Sequence, residues 1–195
     1  MDDEQDSHDH DSQYGIRREH LWQRRSVSFY LLLSTFGLLV FITMLRGWFF
    51  LGLLLAMNIV LSLAMRSFKP FSNGIELNML SAVLAGLAYG PVTGAVFGGV
   101  SMIINFIFMK RMSMFSMLAL PGYMVAGFLA PSFAGADLVF LGIGMTVFYN
   151  LLNSIPILAF FRGNAGKCFL FAVTNVLFNA FVFSTLGKLL LPGMM

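Results

Sequence analysis

The sequence predicts an all-α polytopic membrane protein, a bundle of six to seven transmembrane helices. Three observations carry that expectation. The chain is 58% apolar and only 11% charged, where soluble domains carry roughly a quarter charged residues. Several apolar stretches reach the ~20 residues that a helix needs to cross a hydrocarbon core of about 30 Å. The basic residues gather at the ends of those stretches, as membrane topology requires, which argues against nucleic acid as a partner despite a pI near 9.2.

The chain divides into residues 1–25, a disordered tail that is acidic and then basic, and residues 26–195, an integral membrane helical domain. Met1 to Gly15 holds six of the nine acidic residues and two of the three histidines. Such a segment buries too little apolar surface to fold. His8 and His10 beside Asp6, Asp9 and Asp11 make at most a weak metal site, so no metal is assigned. The acidic start also lacks the basic n-region of a signal peptide. Arg17, Arg18, Arg24 and Arg25 then precede a first apolar helix, Val27 to Leu45, which Arg46-Gly47 separates from a second, Trp48 to Met65.

The centre of the chain is the stretch from Gly74 to Asn105. It opens with Glu76, and Leu77 to Met109 runs 33 residues without a charge. As one helix it would measure about 50 Å, too long for a single crossing. The Tyr89-Gly90-Pro91 step breaks it into two helices, because proline removes a donor and glycine lets the chain reverse. Ala82, Gly86, Gly90, Gly94 and Gly98 recur every fourth residue. Gly86, Gly90, Gly94 and Gly98, with Pro91, are therefore assigned to close helix packing. A fifth helix runs from about Met117 to Ala130 and a sixth from Asp137 to Phe161, kinked or broken near Pro156. A last one runs from Cys168 to Leu191 and is ended by Pro192-Gly193.

Seven crossings with a cytoplasmic N-terminus put Arg17, Arg18, Arg24, Arg25, Arg66, Lys69, Lys110, Arg111, Arg162 and Lys167 inside. Only Arg46 and Lys188 lie outside. The expected location is the plasma membrane, with the Gly90-Pro91 turn outside. If the third helix is too short to cross, the hairpin is re-entrant and the count is unchanged.

Catalysis is not expected. The apolar part contains no histidine, and its carboxylates, Glu76 and Asp137, each stand at a helix start, where an acid often serves only the helix dipole. Ser101 and Ser154 have no base, and no phosphate-binding loop exists. One cysteine, Cys168, excludes an internal disulfide and a multi-cysteine metal centre. No cofactor is implied. The informative polar set is the asparagines: Asn58, Asn105, the pair Asn150/Asn153 and the pair Asn175/Asn179. Spacings of three and four place each pair on one helix face. An amide in hydrocarbon needs a partner, so these faces point inward, to one another, to water or to a ligand. Glu76 and Asn78, with Asn105, Tyr123, Tyr149, Asn150, Asn153, Asn175 and Asn179, are the candidate ligand-binding residues.

The stretch GIELNMLSAVLAGLAYGPVTGAVFGGVSMI resembles the signature of the substrate-binding S components of energy-coupling factor (ECF) vitamin transporters. The resemblance rests on Glu76, Leu77, Asn78, Gly86, Gly90, Pro91, Gly94 and Gly98, and LPGYMVAGFLAP, Leu120 to Pro131, is similar to a segment of biotin-type members. It implies a small membrane subunit that captures a micronutrient and docks onto a transmembrane coupling subunit carrying two ATPases. Hydrolysis there drives substrate release by toppling the S component. It also places Glu76 and Asn78 at the ligand end of the hairpin. The rival reading is a structural scaffold like the rod-shape-determining membrane protein MreD, which needs no polar pocket. A secondary transporter would need a second copy of the Gly-Pro hairpin, and an intramembrane enzyme would need catalytic groups; the sequence offers neither.

Overall fold

A computed structural model describes residues 5–67, 74–110, 114–160 and 165–195. Among them every regular element is helical: α1 (Gln5–Ser67), α2 (Asn78–Tyr89), α3 (Pro91–Met109), α4 (Met114–Leu129), α5 (Leu138–Phe160), α6 (Ala165–Val182) and α7 (Lys188–Met194). A 3-10 turn, Ala130–Phe133, extends α4, and a π turn, Phe183–Gly187, joins α6 to α7. Four helical stretches are long and apolar enough to cross a membrane: Leu32–Arg66, Pro91–Met109, Leu138–Pro156 and Cys168–Met194. The protein is a helical membrane protein; among the described residues these four stretches have the length and composition to cross, with shorter apolar helices at Asn78–Tyr89 and Ala119–Phe133, so they do not by themselves reach the expected six to seven crossings.

Two features account for the difference. Arg46 and Gly47 lie inside α1 instead of separating two helices. One glycine in a helix costs only about 1 kcal/mol, and no proline stands beside it to remove a hydrogen bond. Arg46 therefore lies within a helix and not in a loop between two helices. Lys69, Arg111 and Arg162 lie outside the described residues. The second feature is α2, whose 12 residues rise only about 18 Å. Pro156 lies within α5, which does not break there, and Pro192 lies within α7 instead of ending the last helix.

Two compact units make up the chain, 1–46 and 47–195. In the first, the apolar side chains between Leu32 and Leu45 are exposed on every face, as in a helix surrounded by lipid. In the second, α2 is the central rod. Every residue from Asn78 to Gly86 is buried, and α2 touches α3, α4, α5, α6 and α7. The outer helices turn large apolar side chains such as Ile103, Ile107, Phe140, Leu151, Phe169 and Leu177 outward, while asparagines point in.

Backbone proximity holds α2, α3 and α4 together. A Cβ added at Gly86 or Gly94 would run into the Gly127 carbonyl, and one at Gly98 would meet the Tyr123 carbonyl at 2.7 Å. Gly90 differs from its neighbours in the series. Nothing lies within 4 Å of its Cβ position, and its φ of +96° makes the turn between α2 and α3. Pro91 follows at the first position of α3, where its missing N–H costs nothing. Asp137 caps α5, its Oδ1 accepting from the N–H groups of Val139 at 2.9 Å and Phe140 at 3.2 Å.

Candidate functional site: a buried carboxylate among amides

The segment 74–77, directly before α2, brings Glu76 into the interior of the second unit. Gly74 makes this entry possible. It adopts φ +86°, and an added Cβ would lie 2.7 Å from the Phe171 carbonyl and 2.8 Å from the Asn175 nitrogen. Only glycine lets the segment lie directly on the backbone of α6. Asn175 Nδ2 fastens it there, donating to the Gly74 carbonyl at 3.0 Å and to Glu76 Oε1 at 3.2 Å.

From Glu76 a chain of amides crosses the unit. Asn78 Nδ2, in the first turn of α2, donates to Glu76 Oε2 at 3.1 Å and lies 3.2 Å from Met102 Sδ on α3. Asn175 in turn accepts at Oδ1 from Asn150 Nδ2 on α5, at 3.2 Å. The four side chains Asn78, Glu76, Asn175 and Asn150 thus tie α2, the entry segment, α6 and α5 into one polar line, all of it buried. Burial pushes the Glu76 carboxyl up to about 7, while the hydrogen bonds from Asn78 and Asn175 pull the other way. Its partners are amides, and no basic side chain is among them.

A second observation concerns the oxygens left over. Asn150 donates to the Thr146 carbonyl and Asn179 to the Asn175 carbonyl, each at 2.9 Å and four residues back. Those bonds fix which end of each amide carries nitrogen, so the remaining atom is an acceptor. Asn78 Oδ1, Asn150 Oδ1 and Asn179 Oδ1 are all buried without a hydrogen-bond partner among the described residues, as are Ser101 Oγ and Tyr123 Oη. Buried polar atoms are satisfied in more than nine cases of ten, and each unmet one costs about 1–3 kcal/mol. Asn78 and Asn150 belong to the polar line and Asn179 lies one turn from Asn175, so acceptors without donors recur along it.

Tyr123 and Tyr149 form the aromatic side of the site. Their rings stack with centroids 4.2 Å apart and planes 30° apart. Gly122 leaves room for this pair, since a Cβ there would approach the Tyr149 ring to 2.7 Å. Tyr149 adjoins Asn150 in α5, and the Glu76 carboxyl lies close enough to interact with it electrostatically.

Glu76, Asn78, Asn150 and Asn175 are therefore directly linked. Asn179 sits one turn beyond Asn175, and Tyr149 with its partner Tyr123 stands beside Asn150. Asn105 is buried on α3. Asn153 is only half-buried, one turn along α5, with Oδ1 unpaired among the described residues. Asn58 belongs to a different junction, where Nδ2 donates to Ser81 Oγ at 2.6 Å and joins α1 to α2. Sequence reasoning missed Gly74, Ser81, Met102, Gly122 and Gly127. Gly122 and Gly127 carried a signal, five residues apart in an apolar helix; Ser81 and Met102 carried none.

No group of three or more histidine, cysteine or acidic side chains able to hold a metal occurs among the described residues. No protein-family model matches the chain, and neither the curated proteins nor the solved structures contain a match.

Proposed function

We propose that this chain is the substrate-binding membrane subunit of an ECF-type micronutrient importer. A small molecule is captured within the helix bundle and passed on by a separate coupling subunit whose ATPases supply the energy. The observation that carries the reading is the buried Glu76 carboxylate, held by Asn78 and Asn175 in a line of amides on which Asn78 Oδ1 and Asn150 Oδ1 have no partner among the described residues. A protein whose only task is to hold others together has no use for that arrangement, whereas a carrier pays for it with ligand contacts. The six helices of residues 47–195, counting α6 through α7 as one, equal the number usual for S components. The glycine contacts among α2, α3 and α4 provide a smooth, closely packed body suited to moving as a unit against a partner. In this reading the chain resides in the plasma membrane and performs no catalysis itself.

Gentle purification of the tagged chain from its native membranes, followed by native mass spectrometry, tests the proposal. The expected result is a bound small molecule together with a coupling subunit and its ATPases, with ligand retention weakened by Glu76→Gln and Asn150→Ala. Recovery of cell-wall or cytoskeletal proteins, with neither ligand nor ATPase, would overturn it in favour of an MreD-like scaffold.

A further inference from the structure

A proton is a ligand that needs no cavity, and the two sides of the Glu76 carboxyl differ in whether they admit one. On the Oε1 side the partner is locked. Asn175 Oδ1 accepts from Asn150 Nδ2 at 3.2 Å, and that nitrogen is itself held by the Thr146 carbonyl at 2.9 Å. Asn175 Nδ2 also bonds the Gly74 carbonyl at 3.0 Å. Turning the Asn175 amide over would set its oxygen against the oxygens of Gly74 and Glu76, and its nitrogen against another nitrogen. Oε1 therefore faces an N–H in either protonation state and acts only as an acceptor.

The Oε2 side is free. Asn78 Nδ2 donates to Oε2 at 3.1 Å, and its other contact is the Met102 sulfur at 3.2 Å, a weak acceptor. Asn78 Oδ1 is buried with no hydrogen-bond partner among the described residues. The two ends of an amide are nearly the same size, so this group can turn over in place. Oδ1 then faces Oε2 and accepts an O–H from it. One unmet oxygen is exchanged for one unmet N–H, while a buried charge disappears.

The elements that meet the site favour the neutral acid. α3 has no titratable side chain, and α2 has only Tyr89, three turns from Asn78. α5 presents Tyr149, on which Tyr123 of α4 stacks; both are neutral where a carboxyl titrates. α6 has Lys167 and Cys168 near its start, about two turns before Asn175. The partners of Glu76 include no basic side chain, and a buried carboxylate without a cation tends to take up a proton. We infer that Glu76 and Asn78 form a proton-binding site, with the proton on Oε2, and that the Asn78 amide turns over as the proton comes and goes. The proton bonds to Oε2 from water and returns to water, and no other covalent bond changes. Asn175 donates in both states, so the segment 74–77 keeps its hold on α6. The change is felt in the first turn of α2, the rod against which the other helices of the unit pack.

Infrared difference spectra of the full-length detergent-solubilised protein, stepped through pH, follow the C=O stretch of protonated carboxyl groups. One band should persist to about pH 7, above the range in which exposed carboxylates ionise, and it should be missing from Glu76→Gln. Glutamine offers an oxygen to Asn175 and an N–H to the turned Asn78, so this variant is expected to fold as the protonated protein does. Asn78→Ala removes the acceptor of the O–H. Its band should move to the higher frequency of an unbonded acid. Its midpoint should rise by about one pH unit, because the bond lost from the ionised form is the stronger one. Asp137→Asn, which keeps the α5 cap, should change neither. Should Glu76→Gln fail to fold, isotopic labelling of the glutamate carboxyl groups assigns the band in the wild type, since the other two glutamates, Glu4 and Glu19, precede the first apolar run. No persistent band, a band that survives in Glu76→Gln, or one that ignores the label would overturn the site. A wild-type band and midpoint in Asn78→Ala would overturn the role of Asn78. The spectra need no transported ligand, so the proton site and the carrier reading stand or fall separately.

Discussion

Gly94→Ala isolates the contact at which α2, α3 and α4 meet. A methyl group at Gly94 would collide with the Gly127 carbonyl oxygen, lie 2.6 Å from Gly86 Cα and 2.8 Å from the Gly127 carbonyl carbon. All three are backbone atoms of other helices, so no side-chain rotation relieves the clash. Restoring an ordinary 3.4 Å separation from Gly86 Cα moves α3 away by about 0.8 Å. The added Cβ gains about 1 kcal/mol of helix propensity, and overpacking against a rigid neighbour costs about 1–3 kcal/mol or more. With two helices obstructed at once the upper end applies, leaving a net loss of about 1–2 kcal/mol. For a chain of this size that lowers the unfolding temperature by about 2–8 °C. Gly52→Ala, within α1, is the matched control, because nothing lies within 4 Å of its Cβ position. It should stabilise by about 0.5–1 kcal/mol. Thermal scans of both variants in one detergent give the comparison. If Gly94→Ala is as stable as Gly52→Ala, the helices do not approach at Gly94 and the packing described for α2, α3 and α4 is wrong.

Gly90→Ala tests conformation without packing: the site has space, but φ +96° with ψ 168° is a backbone region nearly confined to glycine, so a loss of about 1–3 kcal/mol is expected by thermal unfolding. Asp137→Ala removes the α5 cap and should cost about 1 kcal/mol, read as faster hydrogen exchange at Val139 and Phe140, with Asp137→Asn restoring protection. The Glu76 carboxyl, raised from 4.5 to about 7 in the folded protein, binds its proton more tightly when folded than when unfolded. Stability should therefore fall as pH rises from about 4.5 to about 7. Unfolding at fixed temperature across that window measures the slope, and Glu76→Gln should flatten it; a slope of the same size in the variant would assign the effect to another group.

Much of the site was legible because its elements are rare in an apolar chain. Glu76 is one of two carboxylates beyond the tail and its flank, and the spacing of Asn175 and Asn179 marks one face of a helix whatever that helix packs against. Composition cannot show which amides meet. Asn150 and Asn175 are 25 residues apart and bond directly, while Asn150 and Asn153 share a helix and do not. The glycine series misled in one place for the same reason. Gly90 falls in register with Gly86 and Gly94, yet its own contacts are empty and only its φ requires glycine. Periodicity records position along a helix and says nothing of whether the helix has already ended.

The break assigned to Arg46-Gly47 has a wider consequence. A charged residue beside a glycine reads as a loop when apolar runs flank it, because a single straight crossing needs only about 20 residues. Yet neither residue removes a backbone hydrogen bond, and the nearest proline in the sequence is Pro70. Continuation of the helix is then cheaper than a turn, which would leave several backbone groups unpaired in an apolar setting. The Tyr89-Gly90-Pro91 step passes the same physical test in the opposite sense, since Pro91 cannot donate into α2 and Gly90 adopts the angle that reverses the chain. At this one turn a positive-φ glycine and a proline coincide, whereas α3 ends at Lys110 with φ +52° and no proline beside it. A charge alone does not interrupt a helix, as Arg46 within α1 shows.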